Sequence, residues 1–144
     1  VATRKKRIEK ILKEANLKKG KIFIELGCGD GRIVRTAVKK YGVKGIGVDI
    51  NPILIFWARL LSLKDSSTSL GMTFRVENIF DTDLTKTDYV YIFLMPDLIS
   101  KLIPKLKKEL KKNCLIISHG FKVEGMKLVK TLETRPFKTY YYRT

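Results

Sequence analysis

Histidine, cysteine and acidic side chains are all scarce in this 144-residue chain, and each shortage removes a class of chemistry. One histidine, His119, and two distant cysteines, Cys28 and Cys114, give no spacing that a zinc site requires, so no metal is expected. With so few cysteines a reducing, intracellular compartment is the default. No apolar run reaches the roughly 18 to 20 residues that span a bilayer, and no cleavable leader is visible. The sequence starts at Val1 rather than at a methionine. The expected location is therefore cytoplasmic, or the cytoplasmic side of a membrane if an anchor lies upstream of Val1. Internal repeats and low-complexity tails are missing too, as are a nucleophilic triad and a paired-carboxylate site.

Against 30 Lys and Arg stand only 14 Asp and Glu, a formal net charge of +16. That balance suits nucleic acid, an anionic surface or an acidic protein partner. The lysines are spread along the chain, which fits a lysine-rich proteome equally well. Hydrophobic content of 44% and 10% aromatics mark a globular chain of one domain, residues 1–144.

Ile8, Ile11, Leu12 and Ala15 recur at helical spacing over 4–16, with Thr3 as N-cap. A strand is expected over 21–26, a helix over 32–41 stopped by Gly42, and a second strand over 43–50 ending in Asp49-Ile50. Asn51 and Pro52 open a helix to about Leu63. It is apolar almost all round, which predicts a core helix with Trp57 partly buried, a membrane- or partner-facing stripe being the minority reading. After a polar connection from Lys64 to Gly71, strands follow over 72–76 and 88–95, with only a vestigial element over 80–87 between them. A helix over 97–111 carries Leu98, Leu102, Leu106 and Leu110 on one face, with Pro104 expected to bend or delay it. A fifth strand (114–118) and a final pair (126–133 and 137–142) around Arg135-Pro136 complete the pattern. The expected fold class is α/β: a Rossmann-like, doubly wound, mostly parallel seven-stranded sheet with an antiparallel terminal strand, in three α-β-α layers.

Chemistry concentrates where the first strand breaks into Glu25-Leu26-Gly27-Cys28-Gly29-Asp30-Gly31-Arg32. A strand, a glycine loop and a helix start make a cradle for a nucleotide-type cofactor. Arg32 stands where the dinucleotide fingerprint G-x-G-x-x-G places its third glycine. Glu25 suits a cationic ammonium better than a pyrophosphate, and this points to S-adenosylmethionine, with S-adenosylhomocysteine as product. Asp49, at the tip of the next strand, is placed to accept from both ribose hydroxyls, although an Asp before Asn-Pro also forms turns. Asn78 is a candidate reader of the adenine edge, with loop capping as its other role. Glu25 and Asp30 each fit either a ligand contact or the holding of loop amides. Cys28 reads as a small filler, and His119 as a core histidine more readily than a base.

On these residues the chain resembles the class I, seven-stranded S-adenosylmethionine-dependent methyltransferases. More narrowly, Leu26 to Ile33, Asn78-Ile79-Phe80, Phe93-Leu94, Pro104-Lys105-Leu106 and Ser118-His119 with Phe121 resemble the small protein-lysine methyltransferases, archaeal and mitochondrial. The resemblance implies that Glu25, Gly27, Cys28, Gly29, Asp30, Gly31, Asp49 and Asn78 form the cofactor site, with Ile50 and Ile79 on the two sides of the adenine. It also implies an N-terminal helix and cofactor lid over 1–19, including Thr3, ahead of a catalytic core over 20–144.

At the fourth strand this chain has Phe93-Leu94-Met95-Pro96. Amino-methylating enzymes of nucleic acids carry Asn/Asp-Pro-Pro-Tyr/Phe there. An apolar substrate channel bordered by Phe93, Leu94 and Pro96 would favour a neutral lysine amine by desolvation. The expected activity is methylation of protein lysines by a monomer. RNA methylation, favoured by the charge, stands second, and an inactive cofactor-binding module third.

Overall fold

A computed structural model describes residues 4–64 and 71–144. Thr3, the lid residues Val1 to Thr3 and most of the polar connection after Lys64 lie outside the described residues. Twelve described elements alternate as the sequence pattern requires. They are α1 (Arg4–Glu14), β1 (Ile22–Leu26), α2 (Arg32–Tyr41), β2 (Lys44–Asp49), α3 (Pro52–Ser62), β3 (Met72–Val76), a 3-10 turn (Ile79–Asp81), β4 (Tyr89–Ile92), α4 (Pro96–Glu109), β5 (Leu115–His119), β6 (Lys127–Thr134) and β7 (Phe137–Arg143).

The strands form one seven-stranded sheet in the order β3-β2-β1-β4-β5-β7-β6. β1 to β5 are mutually parallel, and β7 runs antiparallel to both β5 and β6. This is the mostly parallel, doubly wound sheet expected. The order reverses direction at β1, so the chain diverges at the carboxyl ends of β1 and β4 and leaves a crevice there.

Alternation along the strands sorts the core into two layers. Phe23, Tyr89, Tyr91, Leu115, Ile117 and Tyr141 face α1, α2 and α3. Ile24, Leu26, Val90, Ile92, Ile116 and Tyr142 face α4. Local signals hold at the helix ends. Asn51 Oδ1 accepts from the Ile53 and Leu54 amides at the start of α3, and Gly42, left-handed, donates its N–H to Val38 O at the end of α2.

Four expectations change. β4 stops at Ile92 rather than at Met95. Its partners end there, opposite Leu26 and Ser118, because β1 turns away into the glycine loop. Phe93, Leu94 and Met95 therefore form a loop, and Pro96 opens α4 instead of closing a strand. α4 then passes through Pro104 as one helix. Both Pro104 and Ser100, whose carbonyl loses its partner, are exposed, so water can satisfy that oxygen. Its buried face is Ile99, Leu102 and Leu106, while Leu98 is exposed.

The largest departure is α3. Only Ile55, Ala58 and Ser62 are buried on it, whereas Ile53, Phe56, Trp57, Leu60 and Leu63 are exposed, Trp57 by 52%. The helix lies over β2 and edge strand β3, where the sheet ends and can cover only one side of it. Composition alone predicts burial; position in the sheet denies it. No helix among the described residues is long and apolar enough to cross a membrane.

Candidate active site

The crevice at the carboxyl ends of β1, β4 and β5 holds a cavity of about 520 Å³, roofed by α1. Register explains which side chains reach it. Glu25 pairs across to Tyr91, Tyr91 to Ile117 and Ile117 to Tyr141, so all four project from one face of the sheet. His119, two residues beyond Ile117, shares that face and pairs with Thr139. The cavity thus has a loop end, with Glu25, Gly27, Cys28 and Gly29, and an aromatic end, with Tyr91, Phe93, His119 and Phe137.

At the loop end, Glu25 is buried, and its Oε1 has no hydrogen-bond partner among the described residues. Burial, reinforced by the nearby Asp30 and Asp49 carboxylates, pushes its carboxyl well above the usual carboxylate range. A buried acid with an unused oxygen is costly unless something cationic answers it. An ammonium-bearing ligand fits that demand. Gly29, at φ 56°, has nothing within 4 Å of the place a Cβ would take, which leaves the backbone open to a ligand.

The remaining loop residues divide by what they touch. Gly31 does not face the cavity: a Cβ there would stand 2.4 Å from Phe74 Cε1, so the glycine lets α2 and the loop close against β3 and α3. Cys28 lines the cavity, and burial pushes its thiol up, which makes it inert packing beside Gly47. Asp30 is committed to Arg32. It takes a side-chain bond from Nη2 at 2.8 Å and the Arg32 amide at 3.2 Å, and this partner holds its carboxyl below the ordinary value.

Asp49 ends β2. Its Oδ2 accepts from Gly29 N at 2.9 Å, and its Oδ1 accepts from Asn51 N at 2.9 Å. One carboxylate therefore fixes the glycine loop to the α3 start, and each oxygen keeps a second lone pair. Asn78 Oδ1 accepts from Phe80 N at 2.9 Å, the capping role, which leaves its NH₂ free to donate. Ile50 is 70% exposed just beyond Asp49, and Ile79 opens the 3-10 turn after β3, half-buried. The Glu77 amide donates to Asp49 O, tying these two strand tips together. Asp49, Ile50, Asn78 and Ile79 lie outside the wall of the main cavity.

At the aromatic end, Phe93 is half-exposed, and its ring centroid lies 5.0 Å from His119 and 5.7 Å from Phe137. Leu94 sits above Gly27, its Cδ2 being 3.4 Å from where a Cβ would stand. Pro96 is exposed at the head of α4 and does not line the cavity. Of the three expected channel residues the structure thus brings Phe93 to the cavity wall and Leu94 to the loop. Sequence reasoning missed Arg4, Arg7, Tyr91 and Phe137, which also line it. Arg4 and Arg7 lie on α1, where they read as solvated charges, and Phe137 arrives from a strand remote in sequence. Only strand parity could have flagged Tyr91, two residues before Phe93.

The chain matches the family model described as the ANTKMT methyltransferase domain over residues 25–130. It is 35% identical over 126 residues to a protein-lysine N-methyltransferase of Saccharolobus islandicus, covering 87% of this chain and 78% of that one. It is 28% identical to the human lysine N-methyltransferase of the ATP synthase C-subunit, over 81% of this chain but only 48% of that longer protein. Among solved structures, an RNA methyltransferase from Salinibacter ruber in complex with S-adenosyl-L-homocysteine superposes with a TM-score of 0.91 at 28% identity, over 99% of this chain and 93% of that one. The glycine loop, both strand-tip residues Asp49 and Asn78 and the aromatic end all fall inside the matched span, except for Phe137. The chain belongs to the ANTKMT methyltransferase domain family.

Proposed function

We propose that the protein uses S-adenosylmethionine to methylate the ε-amino group of lysine side chains in proteins. The observation that carries this reading is one continuous cavity with an unanswered buried carboxylate at its loop end and an apolar aromatic mouth at the other. Glu25 is the group to receive the cofactor's ammonium. The Gly27 and Gly29 backbones admit its methionine part, and Asp49 accepts from the ribose while holding the loop. Asn78 donates to the base edge, and Ile50 and Ile79 supply apolar flanks. When bound, the cofactor supplies a methyl group already activated on a sulfonium, so the protein has to position an amine and keep it neutral.

Phe93 and Phe137 suit the four-carbon stem of a lysine. Such walls disfavour a charged amine by desolvation, and Arg7 near the same end disfavours it further. The Saccharolobus and ATP synthase relatives are named for lysine methylation, which supports this substrate. The Salinibacter neighbour favours a second reading, RNA, and so does the basic charge. One incubation separates them: labelled S-adenosylmethionine with protein and RNA fractions of the same cells. Label recovered as methyl-lysine after protein hydrolysis is the expected result, and label in RNA alone refutes the lysine reading.

A further inference from the structure

The aromatic end contains the chain's one histidine and, behind it, a row of hydroxyl groups with a fixed direction. His119 Nδ1 lies 2.8 Å from Thr139 Oγ1. Thr139 Oγ1 lies 2.8 Å from Thr134 Oγ1, which donates to the Phe137 carbonyl at 2.7 Å. A carbonyl has no hydrogen to give, and a hydroxyl has one. Thr134 uses its hydrogen on Phe137 O, so it must accept from Thr139. Thr139 has then given its own hydrogen and must accept from His119. Nδ1 is therefore the donor, and in the neutral ring Nε2 carries the lone pair.

That nitrogen makes no hydrogen bond among the described residues, and the ring lines the same cavity as Glu25. A histidine satisfied in a core would engage both nitrogens. Here one is anchored and the other is left for a visitor. The rings of Phe93 and Phe137, with centroids 5.0 and 5.8 Å from the imidazole, bound the approach.

We propose that His119 Nε2 accepts the proton that the substrate lysine must lose before it is methylated. The proposal rests on the lysine reading above and names the group that completes it. In the step, an N–H bond of the ε-ammonium breaks, its electron pair stays on the lysine nitrogen, and an Nε2–H bond forms. The neutral amine is then the nucleophile, and the imidazolium later returns its proton to water at the open mouth beside Phe93. The charged and titratable groups that line the cavity with the ring are Arg4 and Arg7 from α1, Glu25 from β1, Cys28, Asp30 and Arg32 from the glycine loop and the start of α2, and Tyr91 from β4. Burial and Arg7 hold the imidazole below its ordinary value, which keeps it in the proton-accepting form near neutral pH. The same surroundings act on the arriving ammonium and lower the cost of moving its proton.

Two readouts test this. Because the chain has one histidine, nitrogen NMR of tag-free protein without cofactor reports a single imidazole. The expected result is a hydrogen on Nδ1, a bare Nε2 and a titration below the ordinary histidine range. A hydrogen on Nε2 in the neutral ring overturns the proposal. In activity, His119→Asn keeps a short donor toward Thr139 but lacks the Nε2 lone pair. Its kcat should fall on the order of 10²- to 10⁴-fold and its pH profile should lose the acidic limb, with cofactor affinity by calorimetry within about twofold. Lysine methylation by His119→Asn within about threefold of the parent, with the same profile, removes His119 from the step and leaves the lysine reading standing. A parent enzyme that labels RNA alone defeats both. Thr139→Val, a positioning variant, removes the acceptor of Nδ1. It should shift the tautomer seen by NMR and lower kcat about tenfold; an unchanged tautomer refutes the hydroxyl row.

Discussion

Replacing Glu25 by Gln keeps the shape of the side chain and removes its charge, and the structure assigns opposite signs to the two consequences. Glu25 makes no hydrogen bond to the glycine loop among the described residues, unlike Asp49, so the change does not release the loop. Without ligand, the parent carboxyl is buried with Oε1 unpaired, and Asp30 and Asp49 raise its pKa further. A raised folded-state value means that the folded chain holds a proton that the unfolded chain has lost. The associated stability is fully present below the ordinary carboxylate pKa and is lost as pH rises through the raised value. The amide of the Glu25→Gln variant removes that loss, so the variant without ligand should be more stable at neutral pH by about 1 kcal/mol, a shift of roughly 2 to 4 °C in Tm. With cofactor the sign reverses. An ammonium beside a buried carboxylate is a charge-assisted contact of about 2 to 3 kcal/mol, so affinity for S-adenosylmethionine should fall roughly 30- to 160-fold. Calorimetry in buffers of different ionisation enthalpy adds a further check. At a pH where the parent carboxyl is still protonated, the parent releases a proton on binding and the variant does not. Affinity within about threefold of the parent, or no gain in stability, would refute this account of Glu25.

Two further substitutions test the packing around the site. Gly31→Ala meets Phe74 at 2.4 Å and forces a side chain into a left-handed backbone at φ 78°, so it should cost about 2 to 5 kcal/mol in urea unfolding; a cost below about 0.5 kcal/mol would show that β3 can move aside. Trp57→Ser on α3 should cost about 1 kcal/mol or less by the same measurement, because the ring is half-exposed. A loss of roughly 3 to 5 kcal/mol would instead mark it as core.

The glycine loop, Asp49 at the tip of β2, the capping of α3 by Asn51 and the alternation of strands and helices were all legible in the sequence, because each depends on neighbours a few residues away. Turn chemistry, helix caps and hydrophobic period are local quantities, and they sufficed to place seven strands and the crevice beside the glycine loop. The exposure of α3 was not legible, for the converse reason. Whether an apolar residue is covered depends on what lies opposite, and α3 lies over the sheet's edge. The early end of β4 has the same origin, since a strand lasts only while its neighbours offer backbone to pair with.

The sequence by itself determined the fold class and which residues make up the loop end, where Glu25 and the glycines stand close together in one strand and turn. Tertiary structure alone decided the aromatic end. Tyr91, Phe93, His119, Thr134, Phe137 and Thr139 come from β4 and the loop after it, β5 and the β6–β7 pair, and nothing in their spacing announces that they meet. Sheet order brings β7 beside β5, register sets Thr139 against His119, and the direction of one hydroxyl hydrogen then fixes which imidazole nitrogen is free. A tautomer is the outcome of four residues converging in space, so it is invisible until the chain has folded.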